Sequence, residues 1–209
     1  MFPRVSVQGC FFHLTQSVWR KLQNVGLAED YKNSDDVRNA VKGLCSLAFL
    51  EVNQVNEAFE ELQEISDNMN LPKLTEVYNY FEDTYIGRQG RRGQRRAPNF
   101  GKDMWNVRGR TEEGMPRTNN KIEGWHRAIQ GMVDSPRPSL WRFLAAIQKE
   151  EALQAAELYK FKAGNEIQKQ EKKYADINKR IKVLIRRLTE DIIDRQEFLR
   201  GVGYISMNV

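Results

Sequence analysis

Few of the residues that ordinarily do catalytic or metal-binding chemistry are present: the 209-residue sequence holds two cysteines and two histidines. Cys10 and Cys45 cannot build a disulfide framework, which implies reduced thiols and a nuclear or cytoplasmic setting. Cys10, His13 and His126, with Cys45 or a carboxylate, have the donors for tetrahedral zinc, but a second Cys/His pair of the customary spacing is lacking. No G-x-S-x-G or P-loop pattern occurs, which removes those signatures of nucleophilic hydrolysis and nucleotide binding. No run approaches about 18 consecutive apolar residues, so no membrane partner is expected. The opening MFPRVSVQGCFF, with Pro3 and polar residues inside any apolar stretch, does not read as a signal peptide.

What is abundant points to a helical, globular chain. Apolar residues make up 40% and charged residues 29%, and ten Phe, seven Tyr and four Trp argue against disorder. The formal net charge is +5, and its distribution is uneven. Between Thr84 and Lys102 lie six basic residues (Arg88, Arg91, Arg92, Arg95, Arg96 and Lys102) and no acidic one, which leaves −1 for the rest. This Gly/Arg-rich stretch reads either as a solvated loop or as a sequence-independent contact to DNA phosphates, with Phe100 and Trp105 nearby.

Hydrophobic periodicity predicts a series of amphipathic helices. Phe11, Leu14, Val18, Leu22 and Val25 recur at three or four residues and stop at Gly26, a residue suited to a C-terminal cap. Ser34 caps a second helix with Asp35 and Asp36 in its first turn. Val52 to Ile65 marks a third, and Leu74, Val77, Tyr78 and Phe81 a fourth after Pro72. RVSV before Gly9 reads as a short strand, and DMWNV (103–107) as a turn or short edge strand. The next helix starts at Asn120, a longer one opens at Ser139 beyond Pro136 and Pro138, and a bend or solvent-exposed linker is expected around Gly164. Tyr174, Ile177, Ile181, Leu184, Leu188 and Ile192 form the stripe of a last amphipathic helix.

Two pairs of chemistry-bearing residues stand three apart, and on a helix such pairs share a face: Cys10 with His13, and Glu123 with His126. Each has a structural reading. Cys10 suits a small buried apolar position, and Asn120 followed by Glu123 is the pattern of a capping box.

In order along nearly the whole chain, FP ahead of GCFFHLTQSVWRKLQ, then AFEEL, YFEDTYIG, RTNNKIEGWH and PSLWRFLAAIQKEE resemble the Mutator-like element (MULE) transposase domain as it occurs in animal proteins. The resemblance implies a ribonuclease H-like DDE fold, in which two aspartates and a glutamate hold divalent metal, Mg or Mn, for DNA strand cleavage and transfer. It implies that Cys10 and His13 are the C-x-x-H pair following the second aspartate, that a helical insertion runs over residues 34–100, and that Glu123 is the third carboxylate. In such chemistry two metal ions about 4 Å apart activate the nucleophile and stabilise the leaving oxygen, so one glutamate does not suffice.

The family's aspartates precede the cysteine, and no acidic residue precedes Cys10 here. The expectation is therefore a truncated domain over 1–135, including the helical insertion and its Arg/Gly loop at 87–101, followed by a C-terminal helical region over 136–209. The expected fold class is mainly α, the helical insertion and C-terminal part of a ribonuclease H-like fold with few residual strands. The expected role is a transposase-derived protein with an incomplete catalytic set and residual DNA binding through Arg88, Arg91, Arg92, Arg95, Arg96 and Lys102, with no bound metal of its own. The alternative is a domesticated interaction module, a homo-oligomer formed through the C-terminal helices.

Overall fold

Amphipathic segments joined by short polar turns give, among the described residues, eleven α-helices and no strand. The computed structural model describes residues 7–90, 93–164 and 172–207. The helices are α1 (Phe11–Asn24), α2 (Ala28–Asn33), α3 (Asp35–Ser46), α4 (Val55–Asn68), α5 (Pro72–Phe81), α6 (Lys102–Trp105), α7 (Arg108–Glu112), α8 (Asn120–Val133), α9 (Leu140–Lys162), α10 (Lys172–Thr189) and α11 (Arg195–Ser206). A 3-10 turn, Leu47–Phe49, prolongs α3, and a π-helical turn, Glu82–Ile86, prolongs α5. The mainly α class is as expected from the sequence. In place of residual strands the described residues contain one isolated antiparallel bridge, Gln89 with Arg95.

The chain divides into two compact units, Met1–Arg117 with Asp176–Val209, and Thr118–Ala175. This division differs from a cut at 135/136, and the physical reason lies in the C-terminal apolar residues. Ile177, Ile181 and Ile185 of α10, with Phe198, Leu199, Val202 and Ile205 of α11, are buried in the same core as α1 to α5.

In the first unit α3 is the central element, packed by α1, α2, α4, α5 and most extensively α11. Of the expected stripe of α1, Phe11, Leu14, Val18 and Leu22 are buried and Val25, the C-cap, is half-buried, and Gly26 takes a left-handed φ of 71° just past the helix end. Each such aliphatic side chain removed from water contributes about 1.5–3 kcal/mol. Small residues let α11 approach α3 closely: a β-carbon on Gly203 would stand 3.0 Å from that of Lys42. Ser34 caps α3, its hydroxyl accepting from the Val37 N–H at 3.4 Å. A full capping box, absent from the sequence expectations, starts α11: Asp194 accepts from the Glu197 N–H at 2.7 Å, and Glu197 accepts from the Asp194 N–H at 3.0 Å.

Three local expectations change. The third helix begins at Val55, leaving Val52 in a turn. The segment read as a turn or edge strand forms the one-turn helix α6 instead, because Trp105 turns inward, is buried, and donates its indole N–H to the Tyr85 carbonyl at 3.1 Å. The Tyr174 to Ile192 stripe ends at Thr189; Ile185 takes a core place, while Tyr174 and Ile192 stay exposed. Most of the expected RVSV strand lies outside the described residues.

In the second unit α8 and α9 pack on each other through a small core of Ile129, Val133 and Ala146. Asp134, left-handed at φ 46°, ends α8, and Ser139 caps α9 by accepting from the Arg142 N–H at 3.3 Å. After α9 ends at Lys162 the chain turns at Gly164, with φ 90°, and residues 165–171 of the expected bend or linker lie outside the described residues. No helix among the described residues is long and apolar enough to cross a membrane.

Candidate functional site

Cys10 is the N-cap of α1, in extended conformation, and its carbonyl accepts from the N–H groups of His13 and Leu14. Three backbone and side-chain bonds hold this helix start. Gly9 N–H donates to Met104 O at 2.6 Å, Phe11 N–H donates to Arg117 O at 2.9 Å, and the Arg110 guanidinium donates to Gly9 O at 2.7 Å. Cys10 is half-buried, and burial holds the neighbouring Arg110 guanidinium below its ordinary value, with Cys10 partly offsetting that shift. His13 is exposed and opens on a groove of about 350 Å³ that it shares with Ser17, Arg20, Lys21 and Tyr80.

Arg117 lies against the Phe49 ring at 5.2 Å and donates to Asn178 Oδ1 at 2.8 Å. Burial and the neighbouring Arg110 charge push its pKa down to about 10. Among the described residues no carboxylate pairs with either guanidinium, and Arg110 Nε and Arg117 NH1 are buried without a hydrogen-bond acceptor.

Glu123 and His126 belong to the second unit and Cys10 and His13 to the first. The expected capping box at Asn120 is not formed. The helix starts one residue earlier than such a box requires: Asn119 is the N-cap, with no side-chain cap bond, so Glu123 stands a position beyond N3. Glu123 is half-buried in the first turn of α8, and exposed His126 has its ring beside Trp125 at 5.2 Å. Among the described residues no three His, Cys, Asp or Glu side chains gather as a metal site requires. The described residues therefore do not by themselves fit Mg or Mn.

In the Arg/Gly loop the structure uses several charges internally. Arg95 reaches Glu82 at 2.9 Å, Glu60 at 2.7 Å and the Gly87 carbonyl at 2.7 Å, over the Phe59 ring. Arg88 pairs with Asp83 through two hydrogen bonds. Lys102 donates to Asn56 Oδ1 at 2.9 Å. Arg96 is exposed, with no ion pair among the described residues, while Arg91 and Arg92 lie outside them. Gly87, at φ 88°, permits the loop to close, since a β-carbon there would stand 1.8 Å from the Arg96 carbonyl oxygen.

Sequence reading missed the charge on α10. Its eighteen residues, KKYADINKRIKVLIRRLT, carry seven basic and one acidic residue. The signal was in the string and was hidden by summing everything outside 84–102 to one number.

Family models, curated proteins and solved structures were compared with the chain, and none matches it.

Proposed function

We propose that this chain is a helical portion of a MULE-type, ribonuclease H-like DDE transposase domain. Its ancestral task is metal-dependent DNA strand cleavage and transfer, and this sequence by itself handles DNA without cutting it. The observation that carries the reading is the ordered series of motifs, whose two chemistry-bearing members both fall at helix starts. The C-x-x-H pair heads α1, and RTNNKIEGWH heads α8 with Glu123 in its first turn. The helical stretch between them corresponds to the insertion of that family. One carboxylate cannot bridge and orient two divalent ions, so catalysis is absent from the chain as it stands.

A chimera tests this. Strands carrying the two aspartates of an active MULE transposase are fused ahead of Cys10, and supercoiled plasmid nicking is followed in Mg or Mn. Nicking that Glu123→Gln abolishes supports the reading; a folded chimera that never nicks, or one whose nicking survives Glu123→Gln undiminished, refutes it.

A second reading, a module that associates through C-terminal helices, is favoured by one feature. Leu140, Trp141, Phe143, Leu158 and Phe161 of α9 are exposed, Trp141 at 79%. The α10 stripe offers it no support, because Ile177, Ile181 and Ile185 are consumed by the first unit's core. Sedimentation equilibrium decides: a concentration-dependent dimer that Trp141→Ser with Phe161→Ser converts to monomer supports association.

A further inference from the structure

Helix α10 divides its two faces sharply. Ile177, Ile181 and Ile185 point into the core, Ile181 with 0% exposure, so the apolar face is used within the protein. The outer face carries Lys179, Arg180, Arg186 and Arg187, all exposed, with half-buried Lys182 beside them. The acidic residues on and just after the helix are Asp176, Glu190 and Asp191, and the Arg186–Glu190 pair is a loose, exposed contact at 4.0 Å. Positive charge continues onto the neighbouring segment. Lys182 Nζ stands 3.5 Å from the position of a β-carbon on Gly114, and Arg117 reaches Asn178. Arg110 and Arg117 have no carboxylate partner among the described residues; their unpaired N–H groups are buried, so they add to the positive field without touching a ligand.

We propose that the outer face of α10 is a binding surface for the phosphate backbone of duplex DNA. Three features select this partner. Stable attachment to an anionic membrane takes a buried apolar face besides charge, and that of α10 is already used in the core. Single strands are held by stacking on aromatic rings, and none occurs from Lys179 to Arg187. The cations instead fall as two pairs seven residues apart, Lys179 with Arg186 and Arg180 with Arg187, over about 12 Å of a regular helix, suited to phosphates at fixed spacing and to binding without sequence preference. The surface stands on charge placement alone and does not depend on the transposase reading.

The intact chain is titrated against a fluorescein-labelled 20-base-pair duplex over a range of salt, beside a variant with Lys179, Arg180, Arg186 and Arg187 all replaced by Gln. These side chains are exposed, so an unchanged thermal melt checks that the variant is folded. Neutralising four phosphate contacts gives a log–log salt slope shallower by about 3.6, and an affinity weaker on the order of 10³-fold at 0.1 M salt. Lys149→Gln, an exposed cation on α9 rather than α10, leaves affinity within a few-fold. Equal binding by the fourfold variant, no duplex binding by the parent chain at low salt, or parent binding to phosphatidylserine vesicles as tight as to duplex would each overturn the proposal.

Discussion

Replacing Arg95 with alanine asks whether the Arg/Gly loop serves the fold or a partner. Arg95 and Glu82 are 12% and 13% exposed and meet at 2.9 Å, so removal strands a largely buried carboxylate. That loss costs about 1–3 kcal/mol. The Glu60 contact, with a half-exposed carboxylate, adds at most about 1 kcal/mol. The guanidinium over Phe59, 5.9 Å from the ring centre, adds about 0.5–1 kcal/mol. Together these give about 1.5–5 kcal/mol, a large fraction of the 5–15 kcal/mol typical of a domain. Urea unfolding followed by circular dichroism measures it, with Arg96→Ala as the exposed neighbour expected to stay within about 0.5 kcal/mol. A double-mutant cycle with Glu82→Gln should return a coupling above about 1 kcal/mol. A stability change below about 0.5 kcal/mol, accompanied by weaker DNA binding, would refute the assignment of Arg95 to the fold.

The remaining predictions concern other links of the same structure. Gly87→Ala forces a β-carbon against the Arg96 carbonyl at a left-handed φ, so it should cost about 3 kcal/mol or more and open the loop to trypsin at native conditions. Ile181→Ala should cost about 2–5 kcal/mol in urea, against at most about 0.5 kcal/mol for exposed Leu158→Ala; equal costs would contradict α10 as a core helix. Burial pushes the Cys45 thiol up to about 12, and burial also raises Tyr85 to about 12. The unfolded chain gives up these protons first. Stability is therefore fully present below about pH 9 and falls by up to about 1.4 kcal/mol per group per pH unit as pH rises toward 12. A urea midpoint that stays constant from pH 8 to 11 would contradict this. At neutral pH, native-state alkylation should label Cys10 and spare Cys45.

Helix positions were legible because amphipathic periodicity is a property of neighbouring residues. Phe11, Leu14, Val18 and Leu22, or Leu74, Val77, Tyr78 and Phe81, need only a helical backbone to line up, and burial follows for any such face. The Ser34 cap and the turn at Gly26 were legible for the same reason. The capping box assigned to Asn120 and Glu123 failed by one residue, a margin that local pattern does not resolve when Asn119 and Asn120 stand together.

The sequence alone determined a mainly helical chain and the caps and stripes of most of its helices. Only tertiary structure decided how the charges are used. Arg95 meets Glu82 and Glu60 across 13 and 35 residues of chain, Arg117 meets Asn178 across 61, and α10 turns its isoleucines inward and its lysines and arginines outward. A lysine or arginine reads the same in a string whether it closes a loop or faces solvent. Its role depends on which carboxylate the folded chain carries to within about 3 Å, and folding alone sets that distance.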